Sequence, residues 1–375
     1  MESEANRFPI VVQKFGGTTI TGISAIANIE TTIRRPLESG FKVVAVVSAM
    51  GRGPKAGSNA PGDPYATDTL LALLPKTDES ICLREKDLLM MCGEIITAVV
   101  LASHLRDVGI STQALTGFEA GILTDEQSCD ARIQTIIPTR IFNELEHVDV
   151  VVVAGFQGIA ESGKITTLGR GGSDTTAIAL GHALSAASIE IYTDQQGVFS
   201  ADPRSVPAAV HLRDIYADDI VHMSWAGAKV LHPRAAELIQ KFRLTARVGQ
   251  LTDPDAMTTI SVCDEYEPHR LITAVTQGND VSQFTVDRSG DSDQSHLLAV
   301  FSTVTQAGVS MDMFTVTETL VRFTVDSACT DRVSRHLHAR GWSFTIRTHC
   351  RKISIVGAGM HGIEGVMARF TKSLV

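Results

Sequence analysis

Residues Thr167–Ala177, TLGRGGSDTTA, place one arginine among three glycines and continue into a Ser-Asp-Thr-Thr run. The alanine- and leucine-rich segment that follows predicts a helix beginning at this turn. Glycine allows positive φ and a close approach of ligand to backbone, and the first N–H groups of a helix lack partners inside it. Arg170 adds a planar fork suited to a carboxylate or a phosphate. The stretch therefore predicts either an anion-binding site or an ordinary capped turn between a strand and a helix.

Two more glycine turns follow strand-like apolar runs. Ile10–Gln13 leads into Lys14-Phe15-Gly16-Gly17-Thr18-Thr19, and Val148–Phe156 ends at a Gly-Phe-Gln-Gly turn. Ligands of open α/β sheets bind at the carboxyl ends of the strands, so the three turns predict one crevice. Lys14 would supply an ammonium beside bare N–H groups that suit a phosphate. The first turn is not a Walker A loop, since no GxxxxGK[ST] pattern occurs there, and taken alone it also fits a plain strand–turn–helix.

The composition favours helices packed on a sheet. The chain has 375 residues, enough for two or three domains, with 44% apolar and 5% aromatic residues. Its net charge of −9 disfavours a broad basic surface for nucleic acid. An anionic ligand would therefore be met by a few placed cations.

Cysteine usage and the first residues bear on the compartment. Six scattered cysteines form no CxxC pair, which favours buried free thiols in a reducing compartment over a metal site or a disulfide framework. The acidic start, MESEANRF, is unlike a signal peptide. We find no window with the ~18 apolar residues of a membrane span and therefore expect a cytoplasmic protein without a membrane partner.

The remaining pattern predicts two kinds of unit. Val43–Ser48 is typical of a buried strand, and Glu85–Ala102 predicts a helix in which Glu94 either faces solvent or turns inward to meet an ammonium. The charged stretch Cys263–Arg270 predicts a linker. After it, short segments in the order strand, strand, helix, strand, helix, strand predict a small α+β module, and Lys352–Gly357 opens a further unit.

Six motifs follow one another along the chain: KFGGTT, VVSAMG, REKDLLMMCGE, GRGGSDTTA, TDQQGVFSADPR and GAKVLHPRA. Together they resemble the aspartate kinases, and AGVSMDMF and KISIVGAGM in the tail resemble segments of ACT domains. The resemblance covers residues 9–375 and implies an α/β fold. A three-layer α/β/α, mostly parallel sheet (the amino-acid kinase fold) would be followed by an α+β, ferredoxin-like ACT region. The implied boundaries are 1–262 for the catalytic domain, 271–348 for an ACT domain and 349–375 for the start of a second, incomplete ACT unit.

The same resemblance implies an activity. It is phosphorylation of the side-chain carboxylate of L-aspartate to 4-phospho-L-aspartate with ATP and Mg²⁺, the first step of the aspartate-derived amino-acid pathway. The implied partners are an amino-acid effector at the ACT region, whose identity the sequence leaves open, and a second copy of the chain in a homodimer. A carboxylate nucleophile is already ionised at neutral pH, so positioning and charge neutralisation, rather than a general base, would carry catalysis.

The resemblance also implies residue roles. Lys14 and Lys229 would neutralise phosphate charge, and Asp174, the third catalytic residue, would organise Lys14 or the metal. Arg170 would bind the α-carboxylate of aspartate and Glu94 its ammonium. The remaining substrate contacts would be Ser48, Thr67 and Ser173. The nucleotide would be bordered by Lys14, Phe15, Gly16, Gly17, Thr193, Asp194, Phe199, Arg204, Lys229 and Val230. No set of protein ligands for a metal is predicted.

The chain departs from the family pattern on the nucleotide side. The family's TDVDGVY reads TDQQGVF here, with Gln195 and Gln196 at its centre, and Ser224-Trp225 precedes the GAK motif. The second ACT unit also lacks its later strands. We therefore expect activity with altered nucleotide affinity or regulation. Two alternatives stay open, namely a kinase for another carboxylate or a carbamate acceptor, and a catalytically impaired regulatory subunit.

Overall fold

In the computed structural model, the described residues are 8–21, 23–54, 62–74, 82–262, 271–287, 294–360 and 363–374. They fall into two compact units. The first contains the chain up to Trp225, residues 229–274 and the segment from residue 357 onward, and the second contains 226–228 and 275–356. The linker predicted at Cys263–Arg270 lies outside the described residues.

The bounds of the regular elements follow in chain order. The strands are β1 (Ile10–Phe15), β2 (Lys42–Val47), β3 (Thr112–Leu115), β4 (Ile122–Thr124), β5 (Ile133–Ile136), β6 (Val150–Ala154), β7 (Gln157–Ala160), β8 (Ile165–Thr167), β9 (Ser188–Thr193), β10 (Val198–Phe199), β11 (His211–Leu212), β12 (Asp214–Tyr216), β13 (Ala246–Gln250), β14 (Thr258–Ser261), β15 (Ala274–Asp287), β16 (Phe314–Val316), β17 (Leu320–Asp326) and β18 (Phe344–Val356). The helices are α1 (Ile23–Glu38), α2 (Thr67–Leu71), α3 (Leu83–Asp107), α4 (Thr139–Leu145), α5 (Gly172–Ala183), α6 (Ala217–Trp225), α7 (Pro233–Lys241), α8 (Gln294–Gln306), α9 (Thr330–Ala339) and α10 (Val366–Leu374).

The main sheet of the first unit is mostly parallel. Among the described residues its order is β12-β14-β13-β9-β1-β2-β6-β3. β1 pairs in parallel with both β2 and β9, and only β13 and β14 pair antiparallel. Two of the interior strands, β2 and β6, are almost entirely valine and alanine, as expected for a parallel sheet that is covered on both faces. β1 thus lies inside the sheet, and its carboxyl end points Lys14 and the following glycines to one edge.

Each face of this sheet is covered by helices. On one face, Ile29 and Ile33 of α1 and Leu101 and Leu105 of α3 belong to one buried cluster with Phe15. On the other face, α4 and α5 contribute to a second cluster with alternate residues of β1 and β2. This arrangement is the predicted three-layer α/β/α fold, which is confirmed.

Helix α3 is long and apolar enough to cross a membrane by length and composition alone. The expectation that no segment reaches this hydrophobicity was therefore wrong. Half of the apolar window is buried inside the first unit, and a helix of a protein core passes the same test. Two of its buried residues, Asp87 and Glu94, are acidic.

The second unit is an α+β module, as predicted. Its sheet has the order β16-β17-β15-β18, with β17 antiparallel to both of its neighbours. α8 and α9 contribute Val300, Val304, Val333 and Leu337 to a core that contains the stacked rings of Phe284 and Phe323. Its assignment as an ACT domain stays a prediction.

The carboxyl-terminal segments differ from expectation. β18 runs without interruption through the predicted boundary at 348/349, and residues from 357 onward lie in the first unit. Gly357 permits this, because a Cβ there would lie 2.4 Å from the carbonyl oxygen of Leu271. The Ala358 N–H also donates to Asp219 Oδ1 of α6 at 3.1 Å. The sequence pattern predicted that the α+β module ends at residue 348 and that Lys352–Gly357 opens a further unit, whereas the backbone forms one continuous strand through both segments.

The described cysteines are free, and none of them is buried. Cys82 and Cys92 are exposed, and Cys129, Cys329 and Cys350 are intermediate. The prediction of buried thiols is therefore wrong for these residues. Cys263 lies outside the described part of the chain.

Candidate active site

A crevice of about 770 Å³ lies at the carboxyl ends of the central strands. All three glycine turns contribute to its lining, through Gly16 and Gly17, through Phe156, and through Gly169–Asp174. The turns that the sequence analysis singled out are thus brought together.

Lys14 and Asp174 form an ion pair at one wall of this crevice. Lys14 Nζ lies 2.6 Å from Asp174 Oδ1, and Lys14 is only 8% exposed. Lys14 comes from the end of β1 and Asp174 from the first turn of α5. A carboxylate this close holds the long lysine side chain in one position and neutralises it until an anionic ligand arrives.

The Gly16-Gly17 turn is tied to both neighbouring strand ends. The Gly16 N–H donates to the Tyr192 carbonyl at 3.1 Å, and the Gly17 carbonyl accepts from the Gly51 N–H at 2.9 Å. A Cβ on Gly17 would lie 2.3 Å from the Ala49 carbonyl oxygen. Glycine is required there because the chain after β2 approaches so closely.

Gly17→Ala is therefore expected to destabilise the first unit by about 1–3 kcal/mol, the usual cost of overpacking. Thermal denaturation should show a melting temperature lower by several degrees. Gly278→Ala is the control, since its added Cβ would meet nothing closer than 3.7 Å. Equal melting temperatures for Gly17→Ala and the wild type would contradict the close approach.

Glu94 turns inward from α3, which decides between the two alternatives for this residue. It is 3% exposed, and its Oε1 accepts the Ala49 N–H at 3.1 Å. Its Oε2 is buried without a hydrogen-bond partner among the described residues. Burial raises the pKa of Glu94 to about 8. At neutral pH the carboxyl is thus mostly protonated until a cation reaches its free oxygen.

The stretch Thr167–Ala177 proves to be both a turn and a wall of the crevice. Gly169 and Gly171 have φ of 73° and 69°, and Gly171 caps α5. Arg170 between them is exposed, lines the crevice and makes no ion pair with any residue that the structure describes. Ser173 in the first turn of α5 is buried. The guanidinium of Arg170 is therefore free for an anion in the crevice.

The other predicted residues divide into two groups. Ser48, Thr67 and Thr193 line the crevice, and Asp194 pairs at 2.7 Å with Arg52, which also lines it. Phe15 lies fully buried beneath the crevice, stacked on Tyr192. The structure does not place the remaining four among the lining residues, namely Phe199, Arg204, Lys229 and Val230.

Three of these four, Phe199, Arg204 and Lys229, are found in other surroundings. Phe199 packs edge-on against His211, and Arg204 is paired with Asp202. Hydrogen bonds from Arg204 lower the pKa of Asp202, and the charge of Lys229 adds to this effect. Lys229 is exposed. The ammonium of Lys229 thus lies within electrostatic reach of the turn around Asp202.

Several lining residues were missed by the sequence analysis. Lys86 and Met90 line the crevice together with Glu94. Their spacing of four residues places all three on one face of α3, a signal that could have identified them. Asp87 is fully buried and accepts from the N–H of Cys129 at 2.9 Å and from the hydroxyl of Thr167 at 2.6 Å. It holds the chain that leads into the Arg170 turn.

Residues 9–250 match the sequence profile of the amino acid kinase family. This span is more than half of the chain, and the fold and the glycine-lined crevice agree with it. The chain therefore belongs to the amino acid kinase family.

Aspartokinase 1 of Bacillus subtilis (strain 168) is 40% identical over 372 residues, which cover 97% of this chain and 89% of that protein. The aspartokinase of Geobacillus stearothermophilus is 36% identical over 366 residues, with 96% and 86% covered. Within the amino acid kinase family, the chain belongs to the aspartokinases. The predicted family is confirmed.

Solved structures agree on the fold. E. coli aspartokinase III in complex with aspartate and ADP (R-state) has a TM-score of 0.76 at 22% identity, covering 97% of this chain and 91% of that chain. The same enzyme in complex with lysine and aspartate (T-state) has a TM-score of 0.74 at 23% identity, with 93% and 87% covered. The predicted combination of an amino-acid kinase fold with a carboxyl-terminal β/α region is thus confirmed.

Proposed function

We propose that the chain is an aspartate kinase, which transfers the γ-phosphoryl group of ATP to the side-chain carboxylate of L-aspartate. One observation carries this proposal. The buried, unpartnered oxygen of Glu94 and the unpaired guanidinium of Arg170 line the same crevice as Lys14. A free amino acid has an ammonium for the first and an α-carboxylate for the second, and its side-chain carboxylate can then face Lys14.

The acceptor end of the crevice would hold aspartate by charge. Glu94 loses its proton when the substrate ammonium pairs with it, and Arg170 receives the α-carboxylate in a two-point hydrogen bond. The hydroxyls of Ser48, Thr67 and Ser173 complete this end. The ion pair with the substrate ammonium offsets the desolvation free energy of the buried Glu94 carboxylate. The site therefore binds an acceptor with a free amine more tightly than one without it.

Phosphoryl transfer then needs positioning and charge neutralisation. A carboxylate oxygen of aspartate forms the new bond to the γ-phosphorus while the bond to the bridging oxygen breaks, and that oxygen leaves with ADP. Lys14 and the amide N–H groups at Gly16-Gly17 would stabilise the transferring group, and Asp174 positions Lys14. We assign Lys229 to the phosphates from the other side. Its exposed side chain would have to move toward them.

Nucleotide binding is assigned to the residues around the end of β9. Thr193 lines the crevice and Asp194 lies next to it, while Phe15 supports the turn from below. Phe199, Arg204 and Val230 would border the base or the outer phosphates. Gln195 and Gln196 replace residues of the usual pattern there, and we expect altered nucleotide affinity.

Magnesium fits this site as a companion of the nucleotide. Among the described residues, no cluster of three or more His, Cys, Asp and Glu side chains could hold a metal alone. Mg²⁺ in kinases takes one or two carboxylates plus phosphate oxygens, and Asp174 offers such a carboxylate. When bound, the ion neutralises charge on the phosphates.

Regulation and assembly are proposed from the relatives. E. coli aspartokinase III was solved with lysine and aspartate, so an amino-acid effector at the second unit is proposed here too. A homodimer and a cytoplasmic location stay predictions. A thermal-shift screen of amino acids would identify an effector, because a ligand of the native state raises its melting temperature.

The direct test is an assay with L-aspartate, ATP and Mg²⁺ in which hydroxylamine traps the acyl phosphate. We expect aspartyl hydroxamate in proportion to ADP. Hydroxamate from another acidic acceptor only would favour the alternative acceptor. If no ADP forms with any acceptor, the result would favour a regulatory subunit and overturn the proposal.

A further inference from the structure

The segment that carries Arg170 is held from behind by a second arginine. Arg234 lies in the first turn of α7, and its side chain is 18% exposed. Its Nη1 donates to the Leu168 carbonyl at 2.8 Å and to the Ala131 carbonyl at 3.4 Å, and its Nη2 to Asp130 Oδ1 at 2.5 Å. One planar guanidinium therefore joins two separate chain segments, and a lysine ammonium lacks this rigid fork of donors.

The glycines on either side of Arg170 rest against the same support. A Cβ on Gly169 would lie 2.7 Å from Asp130 Oδ1, the atom that Arg234 binds. A Cβ on Gly171 would lie 2.1 Å from the ring of His232, two residues before Arg234. The turn is thus enclosed by the α7 start and the Asp130 loop.

Arg170 itself has no such support. Its guanidinium makes no ion pair with a described residue, while the backbone on both sides of it is fixed. With no ion-pair partner among the described residues, Arg170 is positioned through its backbone, which the contacts at Gly169 and Gly171 hold in place.

We infer that Arg234 is a positioning residue for Arg170. Through Leu168 and Asp130 it keeps the Gly169–Gly171 turn in the conformation that directs Arg170 to the acceptor α-carboxylate. This inference rests on the proposed function. It assigns to α7 a part in acceptor recognition, although no α7 side chain lines the crevice.

The test is a double-mutant cycle read out in KM. Arg234→Ala is expected to raise the KM for L-aspartate about tenfold and to leave the KM for ATP within about twofold. For Arg234→Lys, the KM for L-aspartate should lie between the values for the wild type and for Arg234→Ala. In an Arg170→Ala background, Arg234→Ala should raise the KM for L-aspartate by less than a further twofold, because the guanidinium that Arg234 positions is absent.

Arg34→Ala is the matched control. Arg34 also donates to one carboxylate, Glu30, and one carbonyl, Val108, but on α1 and away from the crevice. It should lower the melting temperature without a selective change in KM for aspartate. If Arg234→Ala does not fold, Arg234→Lys carries the cycle.

Two outcomes would overturn the inference. One is a parallel rise of both KM values, and the other is an undiminished effect of the Arg234 variant when Arg170 is absent. Failure of the proposed function is distinguishable, since the wild type would then give no aspartyl hydroxamate at all.

Discussion

Replacement of Lys14 by methionine is expected to lower kcat about 10³-fold or more while the protein stays folded. The ammonium lies at the carboxyl end of β1 beside the Gly16-Gly17 amides, where the negative charge of the transferring group has to be stabilised. Loss of one preorganised donor costs about 10²–10³ in kcat, and a full charge at a phosphoryl group costs more. The KM for aspartate should change far less than kcat.

Two variants make this prediction specific. Lys42→Met removes another lysine that pairs with a carboxylate, Asp149 at 2.9 Å, but at the opposite end of the sheet, and should keep activity. Lys14→Met leaves Asp174 partly buried and unpaired, so Lys14→Met with Asp174→Asn should restore stability without restoring turnover. Full activity of the folded single variant would rule out the assigned role.

Replacement of Glu94 by glutamine is expected to raise the KM for L-aspartate about 100-fold and to stabilise the protein at the same time. The amide keeps an acceptor for the Ala49 N–H but cannot become anionic. A lost charge-assisted hydrogen bond of this kind accounts for the weaker binding.

The stability gain depends on pH with a definite sign. Glu94 has a pKa of about 8 in the folded protein against 4.5 in the unfolded chain. Between these two pH values the folded state binds more protons than the unfolded chain. The contribution of Glu94 to the free energy of unfolding is therefore fully present below pH 4.5 and is lost as the pH rises toward 8, by at most about 1.4 kcal/mol per pH unit. The melting temperature of Glu94→Gln should therefore exceed that of the wild type by a margin that grows from pH 5 to pH 8.

Glu85→Gln, on the exposed first turn of the same helix, is the control and should show no such margin. The same titration predicts that aspartate binding to the wild type releases a proton near neutral pH. The KM for aspartate should therefore fall as pH rises from 6 to 8. A melting-temperature difference between Glu94→Gln and the wild type that is constant from pH 5 to pH 8 would exclude the raised pKa of Glu94.

Much of the site could be predicted from short sequence patterns. Gly16-Gly17 and Gly169–Gly171 each lie close to a charged residue near the carboxyl end of a strand, a pattern that parallel topology brings to one edge of the sheet. The sequence left open whether Glu94 is buried or faces solvent. Helical spacing shows which residues share a face of the helix, but it does not show what packs against that face.

Long-range packing accounts for what was missed. Arg234 joins the Asp130 loop to Leu168 through contacts that span 66 to 104 residues of sequence. No local pattern marks such contacts. The course of β18 and the return of the chain after residue 356 to the first unit depend on tertiary contacts in the same way.

We infer that the crevice recognises a free amino acid through Glu94. The most direct measurement compares kcat/KM for L-aspartate with that for succinate, which lacks only the ammonium, in the wild type and in Glu94→Gln. We predict that the wild type prefers L-aspartate at least about 100-fold and that the preference collapses in the variant. Equal use of both acceptors by the wild type, or a preference that survives in Glu94→Gln, would contradict it.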